Sequence, residues 1–322
     1  MPTKLYIVIP CYNEQEVLPE TARRLRAKMD QLLQAGTIHP DSHVIFVDDG
    51  SKDQTWPLIC SLHEKDPLYR GIKLTRNRGH QNALLCGLMT VRREADAVIS
   101  MDADLQDDID AIDGFVKQYQ EGCDVVYGVR SQRTTDTFFK RFTADGFYKL
   151  MKSMGVELVF NHADYRLMSR RALEGLSQFK EVNLFLRGMV PMVGYRTGVV
   201  TYARNERFAG ESKYPLKKML AFAFQGITSL SVKPIRLITG LGALLAAGGL
   251  LTLLWQLITR AGLTPVIAAS VWLLGGLQLL AIGIVGEYVG KIYLETKARP
   301  RYLVEQYLGG PQNPPSQEGD NP

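Results

Sequence analysis

The sequence predicts an α/β domain, a mostly parallel sheet with helices on both faces, followed by an interfacial helix and a two-helix transmembrane hairpin. Three observations lead there. Through residue 231 the chain reads as a mixed globular domain, and from Leu5 to Tyr127 short β-branched runs alternate with helical periodicities, as in a parallel sheet covered on both sides. Beyond it, Leu237–Leu257 and Pro265–Val285 contain no charge. Between the two regions, YPLKKMLAFAFQGITSL (Tyr214–Leu230) gathers its basic residues at one end and spaces its aromatics as a helix lying in a membrane interface would.

Leu5–Ile9 reads as a strand, and EQEVLPETARRLRAKMDQLLQ (14–34) as a helix with apolar positions three and four apart. His43–Val47 is a strand and Asp53–Glu64 a helix; Gly71–Leu74 is a strand and His80–Arg93 a helix. Asp96–Ser100 is a strand, Ile109–Gln120 a helix, and Val125–Tyr127 the last strand of the series.

Open sheets of this kind bind ligands outside the carboxyl ends of their strands. The residues there are PCYNE (Pro10–Glu14), DDGS (Asp48–Ser51), TRNRGH (Thr75–His80), DADLQ (Asp102–Gln106) and GVR (Gly128–Arg130). ISMDADLQDD alone places four carboxylates within seven positions, directly after an apolar run. Such a knot either holds a divalent cation or is an acidic loop leading into a helix near Asp107. The first turn lacks GxGxxG, and GxxxxGK[ST] is absent, so neither dinucleotide nor P-loop nucleotide binding has its loop. Carboxylates suit a hard cation and arginines suit phosphate oxygens, so a metal-bridged nucleotide diphosphate would use this set.

Each uncharged stretch is long enough to span roughly 30 Å of hydrocarbon. Their link, Ile258–Thr264, is short, so both outer ends lie on one side of the membrane. Lys213, Lys217, Lys218, Lys233 and Arg236 precede the hairpin and Lys291, Lys297, Arg299 and Arg301 follow it, whereas only Arg260 sits in the link. The positive-inside rule then puts the N-terminal domain in the cytoplasm, beneath a cytoplasmic (inner) membrane. The start, MPTKLYIVIP, has an apolar run too short for a signal peptide. Cys11, Cys60, Cys86 and Cys123 are scattered, which fits free thiols in a reducing compartment. A net charge of +5 is too mild to imply nucleic acid.

VIPCYNEQEVLP, VDDGSKDQT, LTRNRGHQNALLCGL and SMDADLQDD resemble the inverting family 2 glycosyltransferases, whose GT-A fold is a Rossmann-like, mostly parallel sheet. GVRSQR, ADYRLMSRRAL, RFAGESKYPLKKML and the hairpin ending GEYVGKIYLETKARPRY narrow the resemblance to the polyprenyl-phosphate glycosyltransferases, the dolichyl-phosphate mannose synthases and bacterial undecaprenyl-phosphate sugar transferases. It covers about residues 4–306. The domains expected are a cytoplasmic catalytic domain (1–213), a juxtamembrane amphipathic helix (214–232), a transmembrane hairpin (233–287) and a cytoplasmic C-terminal segment (288–308), with a tail (309–322) outside the resemblance whose composition reads as disordered.

The resemblance implies a sugar moved from a nucleotide-sugar to a polyprenyl phosphate with inversion, UDP-sugars being favoured and GDP-mannose the alternative. Asp102, Asp104 and Gln106 would hold Mg²⁺ or Mn²⁺ against the donor diphosphate, with Asp102 also near the ribose. Pro10, Tyr12, Asn13, Glu14, Arg76 and Ala103 would surround the nucleotide. Spacing leaves Asp48 and Asp49 both open for the base, with Asp48 preferred. Arg130 and Arg141, with Lys140 a weaker choice, resemble ligands of the acceptor phosphate, and Arg207 and Lys213 resemble residues closing over the donor phosphates. Asp164 falls where related enzymes place a candidate base and is read as positioning an arginine or the acceptor. The implied partners are the donor, the lipid acceptor, the membrane and further copies of the chain, a tetramer among the assemblies. A processive polysaccharide synthase is the alternative enzyme, disfavoured by the missing QxxRW motif and the small number of membrane helices. A non-catalytic membrane scaffold is the alternative outside catalysis, disfavoured by the intact DADLQ and GESK.

Overall fold

The structure, a computed structural model, describes residues 2–131, 162–203, 227–229, 231–259 and 264–310. Strands β1 (Leu5–Cys11), β2 (His43–Asp48), β3 (Tyr69–Leu74), β4 (Ala97–Ser100) and β5 (Val125–Arg130) alternate with helices α1 (Leu18–Gln34), α2 (Thr55–Lys65), α3 (His80–Val91) and α4 (Ala111–Gln120). Strand β6 (His162–Ser169), helices α5 (Arg170–Ser177) and α6 (Leu186–Met192) and strand β7 (Thr197–Tyr202) follow. Helices α7 (Lys233–Thr259) and α8 (Thr264–Lys297) precede a last strand, β8 (Val304–Leu308).

The strands form one sheet in the order β7-β5-β6-β4-β1-β2-β3-β8. β6 runs against β4 and β5, and β8 against β3; the remaining pairings are parallel. Every residue of β1 is buried, as expected of a strand covered on both faces. Ile7, Phe46 and Ile99 pack beneath Leu25 and Met29 of α1 and Ile112 and Phe115 of α4. On the opposite face Tyr6, Val8, Val47 and Val98 meet Leu84 and Leu88 of α3, Leu173 and Leu176 of α5 and Met189 of α6.

Among the described residues the predicted strands and helices of the sheet domain occur with boundaries moved by a few residues, and two differences have a plain physical origin. Helix α1 starts at Leu18, not Glu14, because Pro19 lacks an amide hydrogen and is accommodated only in the first turn. The C-terminal segment 288–308 divides: α8 runs on to Lys297, while β8 joins the catalytic sheet with Ile72 opposite Tyr307 and Lys73 opposite Gln306. Residues up to 131, 162–203 and 300–310 thus belong to one compact unit, and 227–299 to a second.

In the second unit, α7 and α8 expose Leu237, Leu244, Leu251 and Ile258, and Val271, Leu279, Ile282 and Ile292. Among the described residues, Leu274–Lys297 is long and apolar enough to cross a membrane by length and composition. The Tyr288 hydroxyl donates to the Ser231 carbonyl at 2.5 Å, and Lys291 Nζ donates to Thr228 Oγ1 at 2.5 Å and Ser229 Oγ at 3.0 Å, tying α8 to the chain that enters α7. Most of the predicted interfacial helix, the link around Arg260 and the tail from 311 lie outside the described residues.

Candidate active site

Parallel pairing brings the ends of β1, β2 and β4 to one edge of the sheet, with Cys11 beside Asp48 and Val8 beside Ser100. The loops after β1 and β2 interlock. The Asn13 amide donates to Ser51 Oγ at 3.0 Å, Asn13 Oδ1 accepts from the Lys52 amide at 2.9 Å, and the Glu14 amide donates to Thr55 Oγ1 at 2.8 Å. Asn13 sits at φ 55°, a left-handed conformation that asparagine tolerates. Its side chain braces the loop. Tyr12 and Arg76 are exposed, Glu14 is half-buried, and Pro10 is buried in β1.

The two aspartates left open by spacing have different surroundings. Asp49 accepts from the amides of Arg78 and Gly79 at 2.6 and 2.8 Å, fixing the loop before α3. Asp48 Oδ1 accepts from the Ser51 amide at 3.2 Å, while its buried Oδ2 has no hydrogen-bond partner. Burial pushes both carboxyls above the ordinary range. Gly50 lets the two loops meet: at φ +68° a Cβ would stand 2.6 Å from the Asn77 amide nitrogen.

DADLQ follows β4. Leu105 is buried at φ 58°, a backbone strain of order 1–3 kcal/mol that its surroundings must hold. Asp104 Oδ1 accepts from the Gln106 amide at 3.1 Å, and the buried Ala103 carbonyl accepts from Thr21 Oγ1 at 2.8 Å. Asp102 keeps about a third of its side chain exposed (35%). Burial pushes its pKa up to about 6, and the carboxylates of Asp107, Asp164 and Asp104 add to the rise against the pull of His80. Among the described residues, no three His, Cys, Asp or Glu side chains cluster as metal ligands.

Strand β6 is antiparallel, so its beginning reaches this edge: Ser100 lies opposite Arg166, and Ser100 Oγ donates to the Asp164 carbonyl at 2.5 Å. The Asp164 carboxylate meets Arg166 Nη2 at 2.5 Å, Arg187 Nη2 at 3.1 Å and His80 Nε2 at 3.7 Å. His80 Nε2 also stands 3.6 Å from Asp102 Oδ1, so the imidazole bridges two carboxylates. Burial opposes the charge on Asp164, but His80, Arg187 and Arg166 outweigh it and hold its pKa well below the carboxylate range. Burial would likewise lower His80, yet Asp164 and Asp102 hold its pKa above the ordinary value. A carboxylate held this firmly in its ionised form is a weak proton acceptor and a strong anchor for arginines.

Arg130, at the end of β5, contacts Asp107 through Nη2 at 3.3 Å and donates from Nε to the Tyr202 oxygen at 3.3 Å. Tyr202 in turn donates to Asp107 Oδ1 at 2.5 Å. Asp102, Asp104, Asp164 and Arg130 therefore come from neighbouring strand ends. Lys140, Arg141, Arg207 and Lys213 lie outside the described residues. Sequence reasoning did not single out His80, Asp107, Arg166, Arg187 or Tyr202. His80 and Asp107 stand within segments flagged as strand ends or acidic knot, whereas Arg187 and Tyr202 carry no local signal.

An α/β sheet with acidic and arginine side chains gathered at the carboxyl ends of its strands has its ligand-binding edge there. The model "Glycosyl transferase family 2" matches residues 6–177, and "GtrB C-terminal hairpin" matches 233–292. The chain is 52% identical over 319 residues to the uncharacterized glycosyltransferase YkoT of Bacillus subtilis, covering 97% of this chain and 94% of that protein. It is 40% identical to a bactoprenol glucosyl transferase of Shigella phage SfX, covering 94% and 99%. A Pyrobaculum calidifontis mannosyltransferase solved with GDP-Man and Mn²⁺ aligns with a TM-score of 0.43 at 21% identity, covering 91% and 85%. The chain belongs to glycosyl transferase family 2 and carries the GtrB-type C-terminal hairpin.

Proposed function

We propose that this protein transfers a single sugar from a nucleotide-sugar to undecaprenyl phosphate, with inversion, at the cytoplasmic face of the inner membrane. One observation carries the proposal: acidic DADLQ and the arginines around Asp107 and Asp164 share one sheet edge in a chain that also bears the hairpin. The naming of full-length relatives as bactoprenol glucosyl transferases supports the lipid acceptor and makes glucose the first sugar to test. UDP is the preferred carrier.

The donor set Asp102, Asp104 and Gln106 is all oxygen, which suits Mg²⁺ or Mn²⁺. Asp102 and Asp104 stand two residues apart on the loop after β4, and with Gln106 they offer oxygen ligands that fit such an ion. When bound, the cation would stabilise charge on the departing diphosphate. A lipid phosphate has a second pKa of about 6 and arrives largely as a dianion, so it needs placement more than deprotonation. Arg130, fixed by Asp107 and Tyr202, would place it. Asp48, with its unpartnered oxygen, is the preferred contact for the base, while Asp49 shapes the loop. Arg207 and Lys213 would close over the donor phosphates and Arg141, with Lys140 the weaker choice, would join Arg130.

The test incubates membranes holding the protein with a panel of nucleotide-sugars and undecaprenyl phosphate, then weighs the lipid product. The expected product carries one sugar on the lipid phosphate. A polymer would favour a processive synthase, and no consumption of any donor would favour a scaffold.

A further inference from the structure

We propose that Arg187 is a phosphate-contacting arginine of the acceptor site and that Asp164 is its positioning residue. This rests on the lipid-phosphate acceptor proposed above.

The arrangement of side chains around Asp164 motivates the assignment. Arg166 is 2% exposed and its Nη2 meets Asp164 Oδ1 at 2.5 Å, so that pair alone neutralises the buried carboxylate. Arg187 adds a second guanidinium, with Nη2 3.1 Å from Oδ2 and Nε 3.4 Å from Oδ1, and His80 approaches the same Oδ2 at 3.7 Å. Arg187 also feels Asp102, so the cluster sets its cations against two carboxylates, and Arg187 is oriented by them without being enclosed. The cluster is also short of acceptors, because the buried Arg166 Nη1 has no hydrogen-bond partner.

The two guanidiniums on Asp164 differ in access. Arg166 is enclosed, whereas Arg187 keeps 37% of its side chain exposed while Asp164 fixes its orientation. Arg130 is anchored separately on Asp107, at the end of β5, the strand paired with the β6 that carries Asp164. Two like charges held together by separate carboxylates beside DADLQ make a receptor for a dianion. A guanidinium fork offers paired N–H donors to phosphate oxygens, which a lysine does not.

The experiment measures undecaprenyl phosphate binding, nucleotide binding and transfer with the full chain in detergent, for the wild type, Arg187→Ala, Arg187→Lys and Asp164→Asn. Arg187→Ala should weaken lipid-phosphate binding by about tenfold or more and leave nucleotide affinity within about twofold, with Arg187→Lys recovering part of the loss. Asp164→Asn should give the same selective loss. Unchanged lipid-phosphate affinity in Arg187→Ala, or a parallel fall in nucleotide affinity, would overturn the assignment. Failure of the broader reading looks different: a wild type that binds the lipid phosphate but never glycosylates it defeats that reading, and the binding comparison still decides Arg187. A wild type that does neither overturns both.

Discussion

Arg130 Nη2 stands 3.3 Å from Asp107 Oδ1, an oxygen that also receives the Tyr202 hydroxyl at 2.5 Å. The arginine is therefore held by two partners, which on the proposed function would present it to an incoming phosphate in one orientation. Arg130→Ala should spare donor binding and cut transfer to lipid phosphate by roughly 30- to 1000-fold, the loss of one bidentate contact worth about 2–4 kcal/mol. Steady-state transfer at saturating donor, set beside nucleotide binding, checks this. Weakened nucleotide binding with unchanged acceptor turnover would place Arg130 on the donor instead.

Asp107 is 2% exposed and is held by Arg130 and Tyr202, so its effect should run through Arg130. Asp107→Asn keeps the size and removes the charge that orients the guanidinium. Transfer should fall by about 10- to 100-fold, as expected for a hydrogen bond to a charged group. The Arg130→Ala, Asp107→Asn double variant should be little worse than Arg130→Ala alone. Additive losses would show that Asp107 has its own task.

Asp104→Asn removes a charge from the proposed cation site at constant size. Transfer should fall by orders of magnitude, about 100-fold or more, and Mn²⁺-dependent nucleotide affinity should fall with it. Normal turnover and metal dependence in this variant would move the ion away from DADLQ.

The strand ends explain what was legible in the sequence. Leu5–Ile9, His43–Val47 and Ala97–Ser100 announce themselves as short apolar runs, and in a parallel sheet each delivers its following loop to the same edge. Asp102, Asp104 and Arg130 were reachable that way. Asp164 emerged only from the family resemblance, because β6 runs antiparallel and contributes its beginning to the site. Arg187 lies on α6, a short helix whose seven residues carry too little periodicity to be read, and its pairing with Asp164 is a tertiary fact. β8 was hidden differently: VEQYL is too polar for a core strand and is recruited by the open edge of β3.

Asp124 offers a pH test away from the site. Burial would raise its pKa, but hydrogen bonds from Arg171 and Ser169 outweigh burial and lower it. A carboxylate with a depressed folded pKa stabilises the fold fully above its unfolded value of about 3.9, and that contribution is lost as pH falls through the folded value. Asp124→Asn should therefore lower the melting temperature of the full chain at neutral pH, with the gap from wild type closing below about pH 4. A gap that widens on acidification would mean that Asp124 is not held by charge.

Topology can be tested because β8 pairs with β3. Residues 304–308 must share a compartment with the sheet, so the intervening helices cross the membrane twice or not at all. On the proposed topology, the basic residues flanking the helices, against Arg260 alone in their link, would put the sheet in the cytoplasm and the link outside. A cysteine at Ala261 should react with a membrane-impermeant maleimide in intact cells, whereas one at Glu20 should react only after permeabilisation. Cys11, Cys86 and Cys123 are buried, so replacing the partly exposed Cys60 by serine removes the main background. Labelling at position 20 but not 261 in intact cells would invert the orientation. Protection of both until permeabilisation would mean that the hairpin enters the bilayer without crossing it.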